Sequence, residues 1–552
     1  MKKYGWLLLL AGFTLGFVIA EAGKKIKRSD VRSALSLFEL DFEKAEIDTM
    51  ISYLERNKEG YESMRKYSLD FAVEPAFTFD PFPNDFKFPA ENPPSNWPIP
   101  NDIVLPESDE EIAFLSIPEL ASLLRSGQLT SSRLTTIFLE RIGQYDATLK
   151  AFITVTEKLA LDQAKKADEE MSNGIYRGIL HGIPYGVKDL ASVPDYPTTW
   201  GAAPYKEQII DHKASVVLKL EDAGAVLLGK LVSGSLARGD VWFGGQTKNP
   251  WDLTQGATGS SAGSGSATAA GLVAFSIGTE TLGSIISPST RTGSTGLRPT
   301  FGAVSKSGFM VLSWSMDKVG PICRSAEDCA IVYDFIRGKD QNDRSSKTTS
   351  FEFNYKPDIQ NLRIGYLEDQ FNADSLLNNS NNKRSLEELK ALGLTLEEIQ
   401  LPNNYPFEVF DIILRAESGA FFDELIINNG HRKMVEQDKG SRANSLRQSR
   451  LIPAVEYIQA NRHRRLLIEE IHQLFKDYDV IISPTFGGKQ MLITNLTGHP
   501  ALSLPNGFDK EGHPTSLTFL GNYFEEAKLL QLAKVYQDNY DYSLQRPEAY
   551  KQ

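Results

Sequence analysis

A run of small residues between positions 256 and 287 concentrates hydroxyl and backbone groups that could do chemistry. It reads GATGSSAGSGSATAAGLVAFSIGTETLGSIIS and is too rich in Gly and Ser for an ordinary helix or strand. Such a run can cradle a phosphate, carry a serine nucleophile or act as a linker. The residues inside the run and upstream of it distinguish these uses.

Phosphate binding is disfavoured by residues that the run lacks. A phosphate loop of the form GxxxxGK[ST] needs a Lys that reaches the phosphates, and no Lys or Arg lies between Gly256 and Ser289. A dinucleotide-binding GxGxxG is also missing, because GSG at 263–265 continues with SAT. The stretch 267–277, ATAAGLVAFSI, is apolar and helix-forming, which disfavours a linker.

A serine nucleophile on an elbow is the more serious alternative. Residues 259–263, GSSAG, match GxSxG with Ser261 as the nucleophile. An elbow follows an apolar strand, whereas the residues before this match are NPWDLTQGAT. A five-residue match in a Gly/Ser-rich run also arises readily by chance. We therefore expect that Ser261 is not the nucleophile.

An ordered set of motifs surrounds the run and is far more specific than any single one. Upstream, Lys188 follows an apolar stretch punctuated by glycines in HGIPYGVKDLASV. The set comprises GIPYGVKDL (182–190), TGSSAGSGSATAAG (258–271), GTETLGSIISPS (278–289), GLRPTFGAVSKSG (296–308) and SMDKVGP (315–321). Together these motifs resemble the amidase signature family. The resemblance covers about residues 112–540, and we expect it to be nearer to exported, peptide-amidase-like members than to the A-type component of tRNA amidotransferases.

The resemblance implies a Ser-Ser-Lys triad and no cofactor or metal. Matched motif by motif, Lys188 is the catalytic Lys, Ser260 is the bridging Ser on a cis peptide, and Ser284 is the nucleophile. The family's oxyanion hole matches four consecutive backbone amides, those of Thr281, Leu282, Gly283 and Ser284.

Such a triad follows a clear chemical logic. A serine hydroxyl is a poor nucleophile unless a base removes its proton during attack. A Lys can act as that base only when it is neutral, which requires a desolvated pocket that lowers its pKa. We expect Lys188 to take the proton of Ser260 while Ser260 takes that of Ser284. The same relay, run backwards, would protonate the leaving amine.

Departures from the family pattern concern the substrate more than the reaction. The family commonly has Gly at Thr258, Ala262 and Leu282, and Arg at Ile286. The backbone N–H of Leu282 is retained, but its side chain would narrow the pocket. An anionic acyl group near Ile286 would lose hydration without gaining a paired cation. We therefore expect a preference for an uncharged, fairly apolar acyl group.

The elements that must position these residues form an α/β fold. From about residue 112, helical periodicity alternates with short apolar runs, which is typical of mixed layers. Strands are predicted at LRIGYL, YDVIISPT and PALSLP, and helices at 385–396 and 456–476. The resemblance implies the amidase signature fold, a mixed central β-sheet covered by helices on both faces. The amidase domain is expected over residues 111–545.

An N-terminal extension precedes that domain. Residues 43–66 carry apolar side chains at helical spacing, which predicts an amphipathic helix. Nine prolines between Pro75 and Pro106 forbid regular helix, but the many aromatic residues among them disfavour a solvated linker. We predict that residues 23–110 form a helix and a Pro/aromatic-rich arm that lies against the main body.

The first 22 residues predict export. Lys2 and Lys3 precede an uncharged stretch from Tyr4 to Ala20, and Ala20-Glu21-Ala22 then provides small residues for cleavage. The apolar part is short for a membrane-spanning helix, so an uncleaved anchor is the minority interpretation. A signal peptide at residues 1–22 would place the mature chain in the periplasm or outside the cell. Membrane contact is expected only if this segment is retained.

Composition excludes several other classes. A net charge of -12 leaves no basic excess for sequence-independent nucleic-acid binding. Cys323 and Cys329 match neither a redox CxxC motif nor a zinc ligand set, and are interpreted as packing positions. No pair of histidines has the HExxH spacing, so no metal site is predicted.

Three functions remain open. The favoured one is an exported amidase that hydrolyses a linear carboxamide of a small molecule or peptide through an acyl-enzyme. The first alternative is an amidotransferase A-type subunit that works with a partner. The second is a non-catalytic exported binding protein on the same fold. The sequence leaves a homodimer open in each case.

Overall fold

The computed structural model describes residues 25–64, 66, 70, 78–83, 85–373 and 379–551. Its contacts divide the chain into two compact units, Met1–Val73 and Glu74–Gln552. The predicted signal peptide at residues 1–22 lies outside the described residues. Export therefore stays a prediction.

The smaller unit contains two helices, α1 (Arg28–Ser36) and α2 (Lys44–Met64). Val31, Leu35 and Ile47 bury their side chains together between them. The helix predicted at 43–66 is confirmed, because its apolar residues recur at the spacing that places them on one face.

The larger unit is organised around an 11-stranded mixed sheet. Its strands, in chain order, are β1 (Phe152–Val155), β2 (Pro184–Lys188), β3 (Val226–Leu231), β4 (Phe275–Glu280), β5 (Thr295–Arg298), β6 (Lys318–Cys323), β7 (Ile364–Leu367), β8 (Leu396–Ile399), β9 (Val480–Pro484), β10 (Ala501–Phe508) and β11 (Pro514–Gly521). Across the sheet they run in the order β1-β3-β2-β4-β6-β5-β10-β11-β9-β7-β8. Two short hairpins lie outside this sheet.

Parallel pairing in one part of the sheet places the predicted site. Strand β2 pairs in parallel with both β3 and β4, and Val187 lies opposite Ile277. The carboxyl ends of parallel neighbours meet at the same edge of a sheet. Lys188, the last residue of β2, therefore lies at the same edge as the loop that follows Glu280, the last residue of β4.

Helices cover the sheet. They are α3 (Asp109–Ala113), α4 (Ile117–Ser126), α5 (Ser131–Leu149), α6 (Glu157–Ser172), α7 (Ser215–Asp222), α8 (Ala262–Ala269), α9 (Ile286–Thr292), α10 (Ala326–Ile336), α11 (Glu368–Phe371), α12 (Asn379–Ala391), α13 (Asp411–Phe421), α14 (Asp423–Ile427), α15 (Arg442–Ser449), α16 (Ala454–Asp477), α17 (Gln490–Thr497) and α18 (Glu526–Asn539). The predicted α/β fold with a mixed central sheet is confirmed. Within the described ranges, no helix is both long and apolar enough to cross a bilayer.

The helix predicted at 385–396 ends at Ala391, because Gly393 adopts a left-handed φ of 86° that stops it, and residues 396–399 form strand β8 instead.

The proline-rich arm packs into the larger unit. Phe82 and Trp97 are buried there, and the Trp97 indole donates a hydrogen bond of 2.9 Å to Asp334.

Candidate active site

The amine of Lys188 lies at the centre of a buried group of hydroxyls. Its Nζ lies 2.7 Å from Ser260 Oγ, 3.0 Å from Ser261 Oγ and 2.9 Å from Thr279 Oγ1. The side chains of Lys188, Ser260 and Ser261 are fully buried. The structure thus brings the predicted Lys, at the end of β2, next to the predicted bridging Ser, in the turn before α8.

Burial lowers the pKa of Lys188 from its ordinary value of 10.5 to about 7, since a charged ammonium is poorly solvated there. The carboxylates of Asp317 and Glu280 act in the opposite direction and raise this pKa. A substantial fraction of the amine is therefore neutral at neutral pH.

The hydroxyls around Lys188 orient its lone pair. A neutral amine has two N–H donors and one lone pair. The Ser261 hydroxyl donates to the carbonyl of Thr279 at 3.1 Å, so towards Lys188 it acts as an acceptor. Thr279 Oγ1 accepts the second N–H. With both donors engaged, the lone pair faces the Ser260 hydroxyl.

Ser260 is held by its backbone. The Gly259–Ser260 peptide is cis, as the resemblance implied, and the Ser260 carbonyl accepts a hydrogen bond of 3.1 Å from Gly234. A Cβ added to Gly259 would lie 1.9 Å from the carbonyl oxygen of Gly239. Only glycine fits at that position, which explains one of the glycines in the run.

Ser284 lies in the loop between β4 and α9. Its carbonyl accepts a hydrogen bond of 3.2 Å from the Ser261 backbone N–H, and this joins the two serine-bearing segments. Ser284 is half-buried, whereas Ser260 is fully buried. Of the three predicted triad residues, Ser284 is thus the one that solvent and a substrate can reach.

The loop before Ser284 presents a row of backbone donors. Within the described part of the chain, no hydrogen-bond acceptor is found for the N–H groups of Thr281, Leu282, Gly283 and Ser284. Gly283 has a φ of 83°, and a Cβ there would lie 2.7 Å from the sulfur of Met491. A glycine is therefore required for this turn. Backbone donors left without acceptors suit an oxyanion.

Glu280 shapes this loop, and the sequence alone did not indicate it. Its Oε2 accepts the N–H groups of Ile285 and Ile286 at 2.8 and 3.0 Å, and its Oε1 accepts from Arg298 at 2.9 Å. Burial alone would raise the pKa of Glu280, but Arg298 and these hydrogen bonds hold it at about 2. The carboxylate is therefore ionised and pins the chain immediately after Ser284.

Asp317, the residue just before strand β6, supports the same loop and is likewise absent from the sequence-based site. Its Oδ1 accepts from Thr281 Oγ1 at 2.6 Å, and its Oδ2 accepts the N–H groups of Leu312 and Ser313. Burial raises the pKa of Asp317. The available signal was the position of each acid inside a matched motif, Glu280 in GTETLGS and Asp317 in SMDKVGP.

Two of the four departures from the family pattern, Leu282 and Ile286, bear on the substrate and occupy different environments. Leu282 is 38% exposed beside the row of N–H groups. Ile286 is buried in an apolar cluster with Met316 and Ile413. Leu282 is thus the departure that a substrate would meet directly.

Other residues considered in the sequence have simpler surroundings. Asp189, beside Lys188 in sequence, pairs with buried Lys230 at 2.7 Å and not with Lys188. The strand before Ser261, Asp252–Gly256, belongs to a two-stranded hairpin outside the main sheet, unlike the strand of a nucleophile elbow. Cys323 and Cys329 are buried free thiols. Among the described residues, no group of His, Cys, Asp and Glu is placed to hold a metal ion.

Comparison with known proteins identifies relatives over most of the chain. The family model described as Amidase matches residues 133–494. The curated relatives include the A component of the glutamyl-tRNA(Gln) amidotransferase from Marinomonas sp. (strain MWYL1), 34% identical over 485 residues that cover 78% of this chain and 98% of that protein. The corresponding protein of Pseudomonas fluorescens (strain Pf0-1) is 33% identical over 488 residues, covering 79% of this chain and 99% of that protein.

Solved structures match the same region. The native peptide amidase from Stenotrophomonas maltophilia superposes with a TM-score of 0.70 at 29% identity, covering 78% of this chain and 98% of that chain. A bacterial aryl acylamidase gives a TM-score of 0.71 at 21% identity, covering 79% of this chain and 100% of that chain, a likeness of fold alone. Because the curated relatives above are amidotransferase subunits, the expectation of a nearer likeness to exported amidases is not supported.

Proposed function

The chain belongs to the Amidase family, whose members hydrolyse carbon–nitrogen bonds of amides, and we propose that it cleaves a carboxamide through a serine acyl-enzyme. The observation that carries this proposal is the buried Lys188 amine, 2.7 Å from Ser260 Oγ and with a pKa of about 7. A neutral amine with its lone pair towards a hydroxyl is what a general base requires.

Acylation uses three residues in sequence. Neutral Lys188 accepts the proton of Ser260 as Ser260 accepts that of Ser284, and Ser284 Oγ forms a bond to the amide carbon. The negative charge that develops on the carbonyl oxygen is stabilised by the backbone N–H groups of residues 281–284. The relay then runs in reverse and delivers a proton to the leaving nitrogen as the C–N bond breaks.

Deacylation repeats the relay with water in place of the amine. Water gives its proton through Ser260 to Lys188 while its oxygen attacks the acyl carbon. Collapse of the tetrahedral intermediate returns the proton to Ser284 and releases the carboxylic acid. Lys188 begins and ends the cycle neutral, so the enzyme is regenerated.

The acyl group is proposed to be uncharged and fairly apolar. An apolar cluster that includes Leu190, Leu236, Met310 and Phe422 begins two residues beyond Lys188, and Leu282 adds exposed apolar surface beside the oxyanion loop. Lys306 lies in one of the matched motifs, but its amine donates to Ser345 Oγ at 2.6 Å. An anionic acyl group would therefore lose hydration without a dedicated partner.

An amidotransferase A-type subunit is the second candidate, and the curated relatives favour it. The two candidates differ in what they need. A free-standing amidase turns over a simple amide alone, whereas a transferring subunit needs a partner that consumes the ammonia. Purification from the native source followed by assay of the isolated chain separates them, since activity that requires a co-purifying subunit would favour the transferase.

Export is proposed on the residue order at the N-terminus alone. N-terminal sequencing of periplasmic or secreted protein should begin near Gly23. Recovery of only the full-length chain in the cytosol would refute export and would strengthen the amidotransferase alternative.

Covalent labelling tests the acyl-enzyme. A fluorophosphonate should label Ser284, and Ser284→Ala should abolish both labelling and turnover. The matched control is Ser287→Ala, a half-buried hydroxyl three residues away that keeps most activity. A label on Ser261 would instead support the elbow, and a folded protein with no label and no turnover would support a non-catalytic binding protein.

A further inference from the structure

Helix α16 carries apolar side chains on the face that it turns to solvent. Leu451, just before the helix, and Val455, Ile458 and Leu466 on it are each 58% to 63% exposed. The spacing of three and eight residues places Val455, Ile458 and Leu466 along one side of the helix. The opposite side is already used, because Leu467, Ile471 and Phe475 are buried in the core. We call these four exposed residues the α16 stripe.

The charge around the stripe is opposite to that of the rest of the protein. Residues 428–466 contain nine Lys or Arg and three Asp or Glu, a net charge of +6 in a chain whose net charge is -12, although two of the nine cations, Arg442 and Arg464, are buried. Arg462 lies within the stripe, exposed, and donates 2.9 Å to Gln459 on the same helix. Arg450 and Arg447 lie at its start, and Arg447 contacts Gln437. The stripe therefore combines exposed aliphatic side chains with the cation of Arg462 among them, and with Arg447 and Arg450 at its start, where Arg450 pairs with Asp423.

We propose that the α16 stripe docks the protein on an anionic lipid surface. Aliphatic side chains on one helix face can enter the boundary between headgroups and acyl chains, while neighbouring Arg and Lys side chains contact lipid phosphates. The stripe has no aromatic side chain, which disfavours single-stranded nucleic acid, because base stacking needs one. It also lacks the Tyr and Trp anchors typical of protein–protein interfaces.

This contact is independent of the N-terminal segment. It belongs to the larger unit, and it predicts peripheral association, since only one side of the helix would enter the lipid while the opposite side is buried in the core. It does not depend on the proposed catalytic steps either, because the stripe contains none of the residues assigned to them.

Vesicle co-sedimentation of the full chain tests the proposal. The test variant is Val455→Ser/Ile458→Ser/Leu466→Ser. The matched control is Val104→Ser/Ile175→Ser/Leu544→Ser, which removes three aliphatic side chains elsewhere that are 53% to 80% exposed. Each is mixed with phosphatidylcholine vesicles with and without phosphatidylserine, at low and high salt.

The parent and the control should bind the vesicles that contain phosphatidylserine, and binding should weaken with salt. The stripe variant should bind at least about tenfold less, with the same melting temperature and the same hydrolysis of a soluble amide. Arg462→Gln should weaken binding to anionic vesicles only. Equal binding by the parent and the stripe variant would overturn the proposal. So would a parent dimer that the stripe substitutions dissociate, or an RNA gel shift that they abolish.

Discussion

Replacing Lys188 by Met should abolish turnover and at the same time stabilise the fold. The amine is fully buried, and burial lowers its pKa from 10.5 to about 7. Lys188 therefore binds its proton more tightly in the unfolded chain than in the folded chain. This difference lowers the free energy of unfolding at every pH low enough to protonate the lysine of the unfolded chain. Methionine has a similar volume and no charge, so it removes this destabilisation and little packing.

The magnitude follows from the shift in pKa. A change from 10.5 to about 7 corresponds to roughly 5 kcal/mol of opposition to folding. Methionine also leaves the hydroxyls of Ser260, Ser261 and Thr279 without the amine, at about 1 kcal/mol each. The expected net stabilisation is therefore about 2 kcal/mol near pH 7 and below.

The sign of the pH dependence is also fixed. The free-energy cost that Lys188 imposes on folding has its full value below the folded pKa of about 7. It decreases as the pH rises towards 10.5 and is absent above that pH. Stabilisation by Lys188→Met should accordingly fade between those values and turn into a loss at high pH, where only the missing hydrogen bonds remain.

Urea unfolding at about pH 6, 8 and 10, followed by tryptophan fluorescence, measures the effect. The control is Lys158→Met, because Lys158 has an 86% exposed side chain and should change stability by less than about 1 kcal/mol. A destabilised Lys188→Met protein at pH 6, or a stabilisation that does not change with pH, would mean that folding does not lower the pKa of Lys188. The base assigned to the reaction would then be wrong.

Three further predictions concern catalysis. Since Lys188 acts when neutral, kcat/KM should rise about tenfold per unit below pH 7 and level off above it, and loss of activity in any single folded His→Ala variant would contradict this assignment. Thr279→Val should lower kcat by about 10- to 100-fold with KM nearly unchanged, and should move the pH profile of kcat/KM to lower pH, because a hydroxyl that stabilises the ammonium form of Lys188 is lost. Thr279→Ser should restore both kcat and the profile. An unchanged profile in Thr279→Val would refute the orienting role of this hydroxyl. Leu282→Gly should reduce the preference for apolar over carboxylate-bearing amides by about tenfold in the ratio of kcat/KM, whereas an unchanged ratio would place the specificity elsewhere.

Much of the fold could be predicted because the sequence pattern is local. The buried strands β7, β9 and β10 begin with mostly apolar runs, and helix α16 has a long 3.6-residue period. Strand β8 is not evident from the sequence because its residues, LEEI, expose two glutamates and follow a helix directly. Its position at the edge of the sheet, paired only with β7, explains why charged residues are tolerated there.

The supporting acids of the site could not be predicted in the same way. Glu280 and Asp317 act through long-range contacts, with Arg298 on β5 and with Thr281 after β4. Periodicity says that both positions are near buried strands, where a carboxylate is costly unless it is paired. It does not say which backbone groups will pair with it. Only the folded loop shows that each acid accepts two backbone N–H groups. Only the folded loop shows, too, that the backbone N–H groups of residues 281–284 stay available to an oxyanion.

The same distinction explains why the reaction could be inferred more readily than the substrate. The groups assigned to bond breaking lie in contiguous motifs, where a short sequence dictates a tight turn, a buried Lys or a row of backbone donors. The apolar cluster beside them is assembled from two sources. Leu190 and Met310 come from in or beside those motifs, whereas Phe422, Leu425 and Leu446 come from helices α13 to α15 and the turns between them, which no motif covers. Swapping aliphatic residues in those helices would leave every motif intact and still reshape the wall that we propose the acyl group to meet. Amide selectivity should therefore respond to substitutions at Phe422 or Leu446 without loss of labelling at Ser284, which separates the determinants of substrate from those of chemistry.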